Sequence, residues 1–505
     1  MLDQGDSGST STAAFWWPVI GASVVIAVFS IAVSVVRIPQ VYPHDGWEAI
    51  IVADAYRASV GLPVYTDPRI DHSTHMYGPL SIYTVGLIFR GTGVNLIAGR
   101  VVHLVATIWI IAALAVIYFR RLPWIFTIAG LAMLMSLNLR VHAFFTQTKS
   151  DMPALGFSLL ALILFFQAME RRRWACYPLA LLSFCVAYLF KQTAAMFTIV
   201  PLLSLLLRRQ WSIRDWLVVA APPATIVALI IAISVIVPAV HYHMIIAVSR
   251  WPMRFDILLI SPLRLFSYFT LVPVALCMMT LIRPGISLSD PTLRWLIAAC
   301  VGSFPGSCLA YSKLAGSTNS FLPALLPMIV LSIVGIAAEW ESTPANLIPA
   351  ARTRVFAWLM ALVMMLSAVE ISKASVHALF VEGHGDGNSP RVVQYIRKLK
   401  GRVVCPDDPT IPIRALGQPC RSSWAENDTN VTEWLSPYLR AEILSADYVV
   451  VVNASFLKYL SPSVLRSWDF VPEGWGGADM GTYALWRKSR TGGAENESPL
   501  RNGVR

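Results

Sequence analysis

Phe15-Trp16-Trp17-Pro18-Val19-Ile20-Gly21-Ala22-Ser23-Val24-Val25-Ile26-Ala27-Val28-Phe29-Ser30-Ile31-Ala32-Val33-Ser34-Val35-Val36 is an unbroken run without a charge. About 20 such residues span the hydrocarbon core of a bilayer as a helix. The run is too long for the core of a signal peptide and carries no clear small-residue cleavage site. It reads as a first membrane span that stays in place, after a polar tail over 1–15 rich in Ser and Thr.

Similar runs recur along the chain. They fall at roughly 97–119, 123–139, 152–169, 174–190, 193–207, 215–238, 261–282, 293–312, 321–339 and 354–372, which makes about eleven spans with the first. The composition agrees, at 56% hydrophobic and 14% charged residues, against about a quarter charged in soluble proteins. Arg120-Arg121, Arg171-Arg172-Arg173, Arg208-Arg209 with Arg214, Arg283, and Arg352 with Arg354 recur at every second short loop. The positive-inside rule places those loops in the cytoplasm. The net charge of +11 therefore reflects topology and membrane lipids rather than nucleic acid. The N-terminus is expected inside and the C-terminus outside, in the periplasm or its equivalent.

The expected architecture is mostly α: a transmembrane bundle over 16–374 and a small external α/β domain over 375–488. In that domain Pro390–Lys400 and Val431–Leu444 read as helices. Arg402–Cys405, Asp447–Val452 and Tyr483–Arg487 read as strands. Residues 489–505, rich in Gly, Asn and Ser, are expected to be disordered.

The first external loop, 37–96, holds Asp45-Gly46-Trp47-Glu48, a helical stretch to about Val60, and an apolar stretch from Leu80 to Phe89. That stretch suits an interfacial helix. A carboxylate this close to a span must be solvated, paired or used. Asp45 and Glu48 would share one helical face as a catalytic pair. The same spacing is also a helix cap with its capping-box partner, and the two roles are compatible. In the second external loop, Lys149-Ser150-Asp151 directly precedes a span. Ser150 or Asp151 could cap it, or Asp151 could serve as a metal ligand or a substrate partner. Lys191, Arg250, Arg254 and Lys313 are external cations against the positive-inside trend. They would meet lipid headgroups or the phosphate of a lipid-borne substrate. His241 and His243 read as interfacial, and Asp407-Asp408 as a solvated turn.

These motifs, in this order, resemble the GT-C class of integral-membrane glycosyltransferases, in particular bacterial relatives of the protein O-mannosyltransferases and lipid A aminoarabinose transferases. The resemblance rests on Asp45 with Glu48, Gly61-Leu62-Pro63-Val64-Tyr65-Thr66-Asp67, Tyr77-Gly78-Pro79-Leu80, Lys149-Ser150-Asp151 and Phe190-Lys191-Gln192-Thr193, and covers about 16–372. Gly78 stands where the family usually has Pro, and His44-Asp45-Gly46 has one acidic residue where many members have two. The resemblance implies transfer of a sugar from a polyprenyl-phosphate donor to an envelope acceptor at the external membrane face, by inverting displacement. Asp45 would be the base, with Glu48 beside it. Tyr77, Lys149, Asp151, Lys191, Arg250, Arg254 and Lys313 would contact substrate. The resemblance leaves a divalent metal open as the one cofactor, and it would fall to Asp45 and Asp151. The competing readings are a flippase or transporter of lipid-linked sugars and an envelope glycan polymerase or ligase. A transporter would call for charge at mid-span, and the spans are clean at their centres. Cys405 and Cys420 are the only cysteines of the external domain and are expected to form a disulfide there.

Overall fold

The computed structural model describes residues 16–67, 74–141, 144–208, 211–268, 290–314, 316–342, 350–377, 388–430, 435–452, 460–476 and 480–489. The tail 1–15 and nearly all of 489–505 lie outside them, as does most of the expected span 261–282, whose first residues belong to the Phe255–Tyr268 helix.

The first run forms the Trp17–Arg37 helix, with Pro18 in its first turn, where a missing N–H costs nothing. Val19, Ala22, Ser23, Ile26, Ser30 and Val33 are buried along one stripe, while Val24, Val28, Ile31 and Val35 are exposed on the other face. A helix apolar all round, with small residues on its inner stripe, suits packing within a bilayer. It packs on the Trp124–Arg140 and Ala350–Val376 helices, and Asn138 donates to Ser34 Oγ at 3.0 Å. Its C-terminal carbonyls have no partner within the helix. Arg100, fully buried, donates to the carbonyls of Arg37 and Ile38 at 3.1 and 3.2 Å and also to that of Gln40.

Among the described residues seven helices are long and apolar enough to cross a membrane, and Trp124–Asn138, Cys176–Phe190 and Gln192–Leu206 are shorter apolar helices. The chain is a multi-pass membrane protein. The Gln192–Leu206 stretch is irregular, 3-10 over Gln192–Ile199 and α-helical over Val200–Leu206.

The chain divides into two compact units, one of 1–40 with 77–385 and one of 41–76 with 386–505. This redraws the expected boundary. Residues 41–76, read as part of the membrane core's loop, pack with the C-terminal residues. The sheet of this unit runs β1 (Val403–Val404), β2 (Tyr448–Val452), β4 (Tyr483–Lys488), β3 (Phe470–Glu473). The β1–β2 pair is parallel and the other two are antiparallel. Alternation along the strands feeds two cores. Val404, Val449, Val451 and Trp486 meet Leu439, Ile443 and Leu465 on one face. Val403, Val450, Tyr483 and Leu485 meet Val392, Val393, Ile396 and Ile411 on the other.

That alternation also corrects the expected disulfide. Cys405 and Cys420 are both free and buried. Cys405 continues β1 into the second of these cores, whereas Cys420 packs in the first. Cys420 Sγ donates to the Cys405 carbonyl oxygen at 3.6 Å.

Candidate active site

Within the membrane unit the segment Thr146-Gln147-Thr148-Lys149-Ser150-Asp151 is buried throughout. Connecting segments normally lie on the surface. This one is held in by close approach: a Cβ at Gly99 would lie 2.6 Å from Thr148 Oγ1. Asp151 opens the Asp151–Glu170 helix, and Ser150 precedes it without making a side-chain cap. The Asp151 carboxylate is used elsewhere. Its Oδ1 accepts from Lys191 Nζ at 2.7 Å and from Asn319 Nδ2 at 3.1 Å. Its Oδ2 is buried with no hydrogen-bond partner among the described residues.

Lys191 reaches Asp151 because the chain breaks there. The Cys176–Phe190 helix ends, and Lys191 is extended (φ −154°, ψ 128°) before the 3-10 turns begin. Its ammonium also stands 4.7 Å from the centroid of the Tyr77 ring, a cation–π contact. Gly78 is needed beside it, since a Cβ there would collide with the Leu189 carbonyl. Three separately flagged residues, Tyr77, Asp151 and Lys191, are thus one cluster. Asn319 completes it and was not singled out in sequence, where it looks like any residue of a polar Gly-Ser-Thr-Asn-Ser turn. Asp151 and Lys191 line a small cavity with Ala154, Leu155, Thr193 and Phe197. Leu155 and Phe197 also border a larger, mostly apolar cavity with Leu114, Phe166, Trp295 and Leu326.

The other expected cations of this unit form a second group. Arg250 is exposed, donates to Tyr242 Oη at 3.1 Å and stacks on the same ring. Arg254 is exposed and paired with Asp256 at 2.7 Å. A bridge between Met253 and Lys313 ties their loop to the end of the Pro291–Ser312 helix, and Lys313 Nζ donates to the Val248 carbonyl at 2.9 Å. The segment Tyr242–Ala247 is π-helical, and Gln192 donates to its Met244 carbonyl at 3.4 Å. Lys149 is buried.

In the second unit Asp45 is the N-cap of the Gly46–Ser59 helix. Its backbone is extended, and Oδ1 accepts the Glu48 N–H at 2.8 Å. Glu48, fully buried, accepts the His44 N–H at 2.8 Å, one residue further back than the usual capping box. The cap is therefore real. It holds a partly exposed carboxylate, Asp45, in one orientation. The same helix carries the buried Asp54, whose Oδ2 accepts from Thr74 and lies 3.1 Å from His75 Nδ1.

Asp407-Asp408 is not the solvated turn expected. Asp408 is buried and Asp407 is half-buried. Burial pushes the Asp407 carboxyl up to about 6, against a weaker opposing hydrogen bond from Ser423. Asp408 and Asp428 are raised for the same reason. Among the described residues no group of three or more His, Cys, Asp or Glu side chains is gathered as a metal would need. Asp151 Oδ1 already serves a cation.

The comparison with solved structures identifies the fold. The crystal structure of ArnT from Cupriavidus metallidurans bound to undecaprenyl phosphate superposes with a TM-score of 0.55 at 15% identity, over 93% of this chain and 98% of that one. The chain has the GT-C fold. The apo-state structure of the same transferase agrees, with a TM-score of 0.54 at 14% identity over 92% and 97% of the two chains. By sequence, residues 75–242 match the family described as dolichyl-phosphate-mannose-protein mannosyltransferase. That stretch of the GT-C fold contains Tyr77, Lys149, Asp151 and Lys191. No curated protein is matched by sequence.

Proposed function

We propose that the protein is a glycosyltransferase that moves a sugar from a polyprenyl-phosphate donor to a cell-envelope acceptor. The observation that carries this reading is the buried cluster of Lys191, Asp151, Asn319 and Tyr77 in a GT-C fold. A cation held by a carboxylate and an aromatic face suits the phosphate of a lipid-linked donor, and the neighbouring apolar cavity suits a lipid chain. The ArnT structure bound to undecaprenyl phosphate supports the same donor class.

The reaction this reading assigns is a single displacement. The acceptor hydroxyl oxygen forms a bond to the anomeric carbon as the bond from that carbon to the phosphate oxygen breaks. Polyprenyl phosphate leaves with the electron pair. The step needs a base for the hydroxyl proton, the part the sequence resemblance gives to Asp45, and a cation for the growing phosphate charge, a part that Lys191 suits. Asp151 Oδ1 orients Lys191, and Oδ2 is left to accept from a substrate hydroxyl. Arg250, Arg254 and Lys313 attract anionic headgroups. With the arginine-rich loops in the cytoplasm, the chemistry falls on the outer face of a bacterial inner membrane.

The test uses purified full-length protein in proteoliposomes with a panel of undecaprenyl-phosphate hexose, aminohexose and aminopentose, reading release of undecaprenyl phosphate. Asp45→Asn keeps a good cap and removes the base. Turnover should fall about a hundredfold to ten-thousandfold with the melting temperature near wild type. No turnover with any donor, or near-normal turnover in Asp45→Asn, rejects the reading.

A further inference from the structure

We propose that Trp424 is a positioning residue for Asp45, so that the C-terminal domain is part of the transfer machinery rather than an appendage. The inference rests on the reading of Asp45 as the base. Trp424 lies on the Ser423–Asn430 helix. Its indole covers Gly46, the residue directly after Asp45, so closely that a Cβ there would overlap the ring. The same indole packs against Trp47, with ring centroids 5.7 Å apart. The N-cap and first turn of the Gly46–Ser59 helix are thus clamped from the side. The other end of the helix is held as well, where Tyr56 Oη donates to the Gly417 carbonyl at 3.0 Å. Gly417 caps the Thr410–Leu416 helix in a left-handed conformation (φ 66°). Both grips come from residues more than 350 positions away in sequence.

A short polar cap alone fixes the direction of a carboxylate only as well as its helix is fixed. A residual shift of about 1 Å at a reacting group can cost on the order of a hundredfold in rate. The Gly46–Trp424 contact supplies that restraint because it leaves the first turn no lateral room. Glycine at 46 is explained by this approach, since no left-handed backbone is needed there.

The experiment measures kcat and KM for undecaprenyl phosphate release in proteoliposomes, using whichever donor of the panel turns over. Trp424→Ala should lower kcat roughly tenfold to a hundredfold with donor KM within about twofold, and Trp424→Phe should recover most of the loss. Gly46→Ala should produce a similar kcat defect by pushing the contact apart. The double variant Gly46→Ala with Trp424→Ala should be no worse than the poorer single one, because both act on one contact. Additive losses, a donor KM effect with kcat unchanged, or a Trp424→Ala kcat within twofold of wild type overturn the proposal. So does a defect in Trp424→Phe equal to that of Trp424→Ala. A dead Asp45→Asn beside a fully active Trp424→Ala rejects positioning alone, while an active Asp45→Asn rejects the base itself.

Discussion

Asp151 in the membrane unit and Asp408 in the other unit are buried to nearly the same degree, at 6% and 7% exposure. Their surroundings differ. Asp151 meets an ammonium at 2.7 Å and an amide at 3.1 Å. For Asp408 burial dominates: it is met by the hydroxyl and the N–H of its own turn, Thr410, the N–H at 3.0 Å, and the Arg414 charge offsets the burial only in part, with Asp407 beside it and Glu48 adding like charge. A carboxylate taken out of water needs a cation or several donors to remain an anion. The first site sets a carboxylate directly against an ammonium, and the second makes carboxylates easy to protonate. The difference teaches which acidic residues to tie to transfer and which to the stability of their domain.

Breaking the membrane pair should have the largest effect. Lys191→Met leaves Asp151 buried beside an apolar chain, and losing one partner of a buried pair costs about 3–5 kcal/mol. Thermal unfolding in detergent should drop accordingly, and transfer should vanish. Adding Asp151→Asn removes the stranded charge and should restore much of the melting temperature without restoring transfer. A double variant that regains transfer would mean the pair is purely structural.

The second unit should respond to pH with a defined sign. A carboxyl raised when folded binds more protons in the folded state, so stability is greater below the unfolded value and is lost as pH rises through the folded one. For Asp407 that window runs from about 3.8 to about 6, worth up to about 3 kcal/mol before discounting its residual solvent contact. Hydrogen exchange of β1, β2 and β4 should therefore slow between pH 7 and 5. Asp407→Asn should flatten that dependence, and protection that weakens steadily over the same interval would contradict it.

The smallest effect concerns the thiols of the same unit. Burial raises both Cys405 and Cys420, which makes them poor nucleophiles. Alkylation of the native protein should leave both unmodified, while unfolding without reductant should label both. A missing pair of labels, recovered on reduction, would restore the bridge that the opposite-facing cores argue against.

Some of this was legible in the chain. The Trp17–Arg37 span, the Gly46–Ser59 helix with its Asp45 cap, the helix at Pro79–Thr92, and strands β1, β2 and β4 were read within a few residues. Each depends on runs and spacings a few residues long. Lys191 and Asp151 were both flagged as charges that needed a reason. Their partnership across 40 positions was not visible, nor was Asn319 as the third member. Arg100 passed unnoticed inside an apolar run, since its use is to cap carbonyls more than sixty residues earlier. Asp407-Asp408 was misread because a Pro-rich turn looks like surface.

That the chain crosses a membrane many times, and where many of its helices begin, is written in local composition. Transfer of apolar runs out of water and the capping of helix ends are short-range effects that local composition already states. Only the tertiary structure decided which charges share a pocket, which sheet face each cysteine enters, and that residues 41–76 belong with the C-terminal domain. Those outcomes depend on how distant segments exclude water from one another, and no local pattern carries that information.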